Sequence, residues 1–207
     1  MGTFASARPR VAAMTRQSSQ AVVRAARTAF IDTVDGLTDA EFNDGPTLCA
    51  GWSPRDVLAH LMGTAEVGPY LRAPWRLHRI NEEFVAAGRR RDRAALIAAA
   101  RQWAELPKPV DRAICRLLLG DVAMHHQDVL RGLGRSRVLD PVEEAAIFFE
   151  GVSLTVQKAQ PTLFKYRVEP TNGIGRALGR GIRVRGTAEA LGLWLGGRDV
   201  ADVEFDR

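Results

Sequence analysis

The chain has 207 residues, 46% of them hydrophobic and 26% charged, which suits one buried core with at most a small appendage and excludes a disordered chain or a large multidomain enzyme. Its formal net charge is +5, and all but three of its 29 basic residues are arginine, the exceptions being Lys108, Lys158 and Lys165. No apolar run reaches the roughly 18–20 residues of a membrane-spanning helix, so no membrane association is expected. Two cysteines, Cys49 and Cys115, are too few for a disulfide framework and read as buried thiols.

Residues 1–17 read as a flexible lead segment. Residues 1–27 hold Arg8, Arg10, Arg16, Arg24 and Arg27 and no acid, but no apolar block of about 7–15 residues follows the charge, so the expected compartment is the cytoplasm. From residue 18 to 162 the pattern is helix after helix. Val22, Val23, Ala26, Phe30, Val34 and Leu37 recur at three- and four-residue steps, as on one buried helical face. Thr38 and Glu41 have capping-box spacing and open a short turn that ends at Gly45-Pro46. Ser53 as cap, Pro54 in the first turn and Asp56 three residues after the cap start the next helix.

A polar helical stretch is expected from Gly68-Pro69 to about Ala87. The basic run Gly88-Arg-Arg-Arg-Asp-Arg93 lacks interleaved aromatics and reads as a solvated connection, so nucleic acid is not an expected partner. Further helices are expected over 92–106, 111–133 and 142–159, delimited by Pro107-Lys-Pro109, Gly132-Leu-Gly134, Pro141 and Pro161. Their short connections favour an antiparallel bundle of four or five helices. From 163 to 207 the pattern changes: 164–169, 182–185 and 202–205 alternate like strands, and Thr187 caps a helix over 188–195. This small α+β segment is expected to dock on the bundle.

Two ionisable residues fall on the apolar stripe Ile114, Leu117, Leu118, Asp121, Val122, His125 and Val129. Asp121 and His125 are four apart and project to one helical face. Burying a lone carboxylate costs several kcal/mol, so either the pair satisfies itself or it holds a metal. His60 lies beside the inward face set by Val57, Leu58 and Leu61; with Asp121 and His125 it would make three ligands and leave a fourth position open. Spacing alone leaves both readings standing. His126 points about 100° away from His125 and is assigned to the flank. His78 reads as a surface residue, Asp128 as solvent-facing rather than ligand-orienting, and Trp52 as packing at the end of the bundle. No phosphate-loop, nucleophile-elbow or H-E-x-x-H motif is present.

Three separated blocks carry a family resemblance. They are Leu37-Thr-Asp-Ala-Glu-Phe with Pro46-Thr-Leu-Cys-Ala-Gly-Trp-Ser-Pro-Arg-Asp-Val-Leu-Ala-His60-Leu, Asp121-Val-Ala-Met-His125-His-Gln-Asp128 running to Leu133-Gly134, and Gly181-Ile-Arg-Val-Arg-Gly186 with Ala190 to Arg198. Together they resemble the mycothiol-dependent maleylpyruvate isomerase-like family of the DinB-like superfamily. The resemblance implies a mainly α fold, a DinB-like antiparallel four-helix bundle with a small sterol-carrier-like α+β appendage. It implies a divalent metal, usually zinc, on His60, Asp121 and His125, with mycothiol or a similar low-molecular-weight thiol at the open position. The partners it implies are that thiol and a small electrophile, in a thiol-dependent isomerase or S-transferase. A homodimer is one assembly open to it, and a non-catalytic metal or small-molecule binding module is the alternative. The acid here is aspartate, one methylene shorter than the family's glutamate, and residues 131–132 read Arg-Gly where the family has Arg-Pro.

Overall fold

Two capping boxes begin helices where the sequence places them. Thr38 accepts from the Glu41 amide while the Glu41 carboxylate accepts from the Thr38 amide, opening α2 (Asp39–Asp44). Ser53 and Asp56 exchange the same two bonds at the start of α3 (Pro54–Thr64), with Pro54 in the first turn, where no amide hydrogen is needed. The computed structural model describes residues 16–206, so the expected flexible segment lies outside the described residues up to Thr15, and Arg16 and Gln17 already belong to α1 (Arg16–Asp35).

Residues 16–138 form one compact unit. In it follow α4 (Val67–Arg72), a 3-10 turn over Pro74–Arg76, α5 (Leu77–Arg89), α6 (Arg93–Ala104), α7 (Pro109–Ala113) and α8 (Cys115–Gly132). The expected continuous stretch from 68 to 87 is broken because Ala73, with φ −144 and ψ 65, leaves the helical region ahead of Pro74, where a helical conformation is disfavoured. The helix expected from Asp111 to Leu133 is two: Ile114, with φ −104 and ψ 15, ends α7 and starts α8 without a side-chain cap. α1 packs on α6 and α8, and α3 packs on α5 and α8. The stripe Val23, Ala26, Phe30, Val34 and Leu37 is buried, as are Val57, Leu58 and Leu61 of α3 and Leu118, Val122 and Val129 of α8, whereas Leu117 is exposed.

Arginines fasten this unit. Arg93 donates to the Val34, Asp35 and Leu37 carbonyls at the end of α1, where a cation meets the negative helix end. Arg89 binds both oxygens of Asp56, the partner of Ser53 in the α3 capping box, at 2.8 and 2.6 Å. The expected solvated run is therefore partly tied to helix termini. Arg27 is buried, its guanidinium 3.9 Å from the Trp103 ring centroid, 2.7 Å from the Trp103 carbonyl oxygen and 3.5 Å from the Asp111 carboxylate. Burial pushes the Arg27 pKa down to about 10 against the attraction of Asp111, so the ring face and carbonyl matter to keeping the charge inside.

The second compact unit runs, among described residues, from 139 to 206. It holds α9 (Pro141–Gln157), α10 (Thr162–Lys165), β1 (Tyr166–Pro170), β2 (Leu178–Gly179), β3 (Ile182–Gly186), α11 (Ala188–Leu195) and β4 (Glu204–Phe205). The expected division after residue 162 gives way to one after 138, because α9 packs extensively on α11. The sheet order is β2-β1-β3-β4, with β1 and β3 parallel and both outer pairs antiparallel. Val168 and Val184, paired across β1 and β3, turn inward with Phe148, Ile174, Ala188, Leu191 and Leu195. The strand expected from 164 starts at Tyr166, since Phe164 and Lys165 close α10.

α9 and α11 approach closely at two glycines. A Cβ on Gly151 would lie 2.2 Å from the Gly192 carbonyl oxygen, and one on Gly192 would lie 2.5 Å from the Ile147 carbonyl oxygen. Backbone cannot yield as a side-chain tip can, so Gly192→Ala forces the helices apart. The expected loss is about 1–3 kcal/mol, read as a lower urea midpoint. An unchanged midpoint contradicts this crossing.

Candidate metal centre

α3 and α8 each present two residues one turn apart toward the other: His60 and Thr64 from α3, Asp121 and His125 from α8. The His60 and His125 rings meet edge to face at 5.0 Å between centroids. His125 Nε2 lies 3.5 Å from Asp121 Oδ1, and the Thr64 hydroxyl lies 3.3 Å from Asp121 Oδ2. One ligand atom each from His60, Asp121 and His125 falls within 4.8 Å of the others. The three residues read from the sequence as converging are thus brought together. Both histidines are buried and Asp121 is partly open.

The other side of His125 has a different character. Its Nδ1 lies 2.8 Å from Asp128 Oδ2, and the Cys49 thiol donates to the same oxygen at 3.0 Å. Asp128 is 0% exposed, so the solvent-facing reading of this residue is wrong: it faces inward one turn beyond His125. Cys49, Asp128 and His125 also cluster closely enough to be considered as ligands. The separations within the two sets differ, although Cys49 Sγ stands 3.5 Å from His125 Nδ1. Ligands at about 2.0–2.1 Å from a tetrahedral ion stand about 3.3–3.4 Å apart, and a thiolate stands about 3.5 Å from an oxygen ligand. The 3.5 Å of His125 to Asp121 fits such an edge, whereas 2.8 and 3.0 Å at Asp128 are hydrogen bonds. In the neutral ring, with Nδ1–H donated to Asp128, the lone pair of His125 is left on Nε2, facing Asp121.

The loop ahead of α3 brings Cys49 into place. The Thr47 hydroxyl donates within reach of the Cys49 and Trp52 carbonyl oxygens and accepts from the Cys49 amide. The Leu48 amide donates to the Asp128 carbonyl oxygen, and the loop passes so close to α8 that a Cβ on Gly132 would lie 2.4 Å from the Pro46 carbonyl oxygen. Trp52 is more than packing at a bundle end: its ring lies 4.8 Å from His60 and 6.4 Å from His125. Cys49 and Trp52 also line an open groove of about 600 Å³ with Thr47, Arg55 and Arg89. Cys49 and Thr47 lie outside any helix, so helical periodicity does not mark them.

Charge follows this geometry. Burial opposes the protonated form of His125, but Cys49 and Asp128 outweigh it and hold the pKa well above 6.5. Tyr70, half-buried and donating to Asn81 at 2.6 Å, is pushed up to about 12 by burial and by the charge of Asp121. His126 takes no part in the cluster: it is buried on the other side, edge-on to Phe30 at 5.6 Å and 2.8 Å from the Thr33 hydroxyl. His78 is exposed and paired with Glu82.

The helical unit thus gathers two histidines and a carboxylate from two facing helices. The mycothiol maleylpyruvate isomerase N-terminal domain family matches residues 23–105, a span that includes His60 and ends before Asp121 and His125. Two crystal structures of mycothiol-dependent maleylpyruvate isomerase, one with a histidine-to-alanine substitution, share the fold with TM-scores of 0.65 and 0.64. Their identities are 16% and 15%, over 93% of each chain. No curated protein matches in sequence. The chain thus shares the fold of these isomerases, and residues 23–105 are similar to the family's N-terminal domain.

Burial and the positive charge of Arg137 push His126 down to about 3. Below pH 6.5 the unfolded chain takes up a proton that the folded chain refuses, so stability falls with pH from 6.5 toward 3. For this residue the loss is roughly 2 kcal/mol between pH 6.5 and 5. In urea titrations of the metal-free protein, His126→Gln should gain on the wild type by that amount over the interval; a pH-independent difference contradicts the assignment.

Proposed function

We propose that the chain is a metal-dependent enzyme of thiol chemistry, an isomerase or S-transferase acting on a small electrophile with mycothiol or a similar thiol as cofactor. The observation that carries this reading is the convergence of His60, Asp121 and His125 ligand atoms within 4.8 Å, from two helices. The similarity of residues 23–105 to the mycothiol maleylpyruvate isomerase N-terminal domain supports the thiol and the isomerase class. A divalent ion, zinc by the nature of the donor set, would supply Lewis acidity there and lower the pKa of a thiol bound beside it.

The chain's own residues have separable tasks in this reading. His60 and His125 offer neutral imidazole nitrogens and Asp121 a carboxylate oxygen, so two neutral ligands and one anion leave net positive charge to attract a thiolate. Asp128 holds the Nδ1 proton of His125 and so aims Nε2 at the centre. Cys49 donates to the same Asp128 oxygen. The Trp52 ring covers His60 and keeps water from one side of the imidazoles.

Purified protein should carry about one equivalent of zinc or another divalent ion by elemental analysis, and His125→Ala should lose it. Absence of metal in both returns Asp121 and His125 to a polar pair. Consumption of a small electrophile should require added thiol and vanish in His60→Ala. Metal retained without any thiol-dependent turnover would instead indicate a non-catalytic binding module.

Because metal-free His125 holds its proton well above pH 6.5, an incoming cation must displace that proton. Zinc affinity measured by chelator competition should therefore rise between pH 6.5 and 8. A flat profile would show that His125 does not exchange a proton for the ion.

A further inference from the structure

We propose that Thr64 is a positioning residue for the metal centre: its hydroxyl holds Oδ2 of Asp121 and leaves Oδ1 turned toward His125. The inference rests on the reading of these three residues as ligands and extends it to a residue that no motif marks.

The two oxygens of Asp121 have different surroundings. Oδ1 is 3.5 Å from His125 Nε2, the spacing of two ligands on one ion, while Oδ2 is 3.3 Å from the Thr64 hydroxyl. That hydroxyl also lies 2.8 Å from the Leu61 carbonyl oxygen one turn back in α3. A hydroxyl has one proton to give, and rotation about its C–O bond chooses the acceptor. At these distances the carbonyl is the nearer acceptor, but an ionised carboxylate is the stronger one, and rotation of the hydroxyl lets Asp121 take the proton. The carbonyl contact keeps the threonine side chain folded back along the helix, and β-branching restricts its rotamers further.

Helical spacing makes the arrangement specific. His60 and Thr64 are one turn apart on α3, and Asp121 and His125 are one turn apart on α8, so the histidine pair and the hydroxyl–carboxylate pair form two adjoining rungs between the same helices. Aspartate is short, and rotation about its terminal bond could offer either or both oxygens to a cation. Anchoring Oδ2 to α3 removes that freedom before the ion arrives, which makes Asp121 a one-oxygen ligand and lowers the entropy lost on binding.

The test compares Thr64→Val, which keeps the shape and removes the hydroxyl, with Thr64→Ser, which keeps the hydroxyl and removes the methyl. Cobalt(II) and zinc affinities are measured on the metal-free full chain, by the d–d absorption of cobalt and by chelator competition. Thr64→Val is expected to bind both ions at least tenfold more weakly, with an altered cobalt spectrum, and Thr64→Ser to stay within about threefold of the wild type. In an Asp121→Asn background the Thr64→Val loss should shrink to less than threefold, because the charged acceptor is gone. Equal affinity of Thr64→Val and wild type, or equal losses in the valine and serine variants, overturns the inference and leaves the metal reading intact. Failure of the wild type to take up either ion overturns both. Should the valine variant not fold, weak binding by Thr64→Ser counts against the proposal and wild-type-like binding by it, with tenfold loss in Thr64→Ala, counts for it.

Discussion

Everything distinctive about the bundle depends on the facing of α3 and α8 across polar side chains. A buried imidazole or carboxylate must find a partner, since desolvation outweighs any packing it contributes. Here the partners stand across one interhelical seam: His60 against His125 at 5.0 Å, Thr64 against Asp121 at 3.3 Å. Apolar neighbours on the same two helices, among them Val57, Leu58 and Leu61 on one and Leu118, Val122 and Val129 on the other, hold the seam closed. The polar rungs select the register and the apolar residues supply the driving force.

His125 stands at the junction of two environments. Nε2 meets Asp121 on the seam between helices, and Nδ1 meets Asp128 and the loop that carries Cys49. That loop is rigid for stated reasons: Thr47 binds its backbone, the Leu48 amide is satisfied by the end of α8, and Gly132 leaves room for it. The same segment then passes through Trp52 into the Ser53 capping box. The ring that lies over His60 is therefore placed by the device that starts the helix bearing His60. A proposed ligand's orientation and its helix's N-terminus are not independent features of this protein.

The arginine content has a structural use as well. Arg27 is retained inside the core by the Trp103 face and carbonyl together with Asp111, Arg93 caps the end of α1, and Arg89 clamps the capping-box aspartate of α3. Arginine suits these places because its planar fork makes several hydrogen bonds at once and stacks on aromatic rings. A basic run that lacks aromatics can therefore serve helix ends, a role that composition does not separate from plain solvation.

By itself the sequence determined the helix starts at Thr38 and Ser53, the inward face of α1, the α+β character of the C-terminal segment, and the pairing of Asp121 with His125 one turn apart. All of these depend on neighbours within four residues or on a period, which are local quantities. Which oxygens and nitrogens face each other was decided by the tertiary structure. Asp128 looked solvent-facing because periodicity treats a helix as having one inner side, yet the loop over 46–52 covers a second. Thr64 and Cys49 carry no periodic signal that separates them from ordinary neighbours, and their placement depends on contacts 57 and 79 residues away in the chain. The division after 138 likewise follows from two glycines, Gly151 and Gly192, whose missing side chains allow α9 and α11 to touch backbone to backbone. Such a contact has no meaning until both helices exist and have found each other.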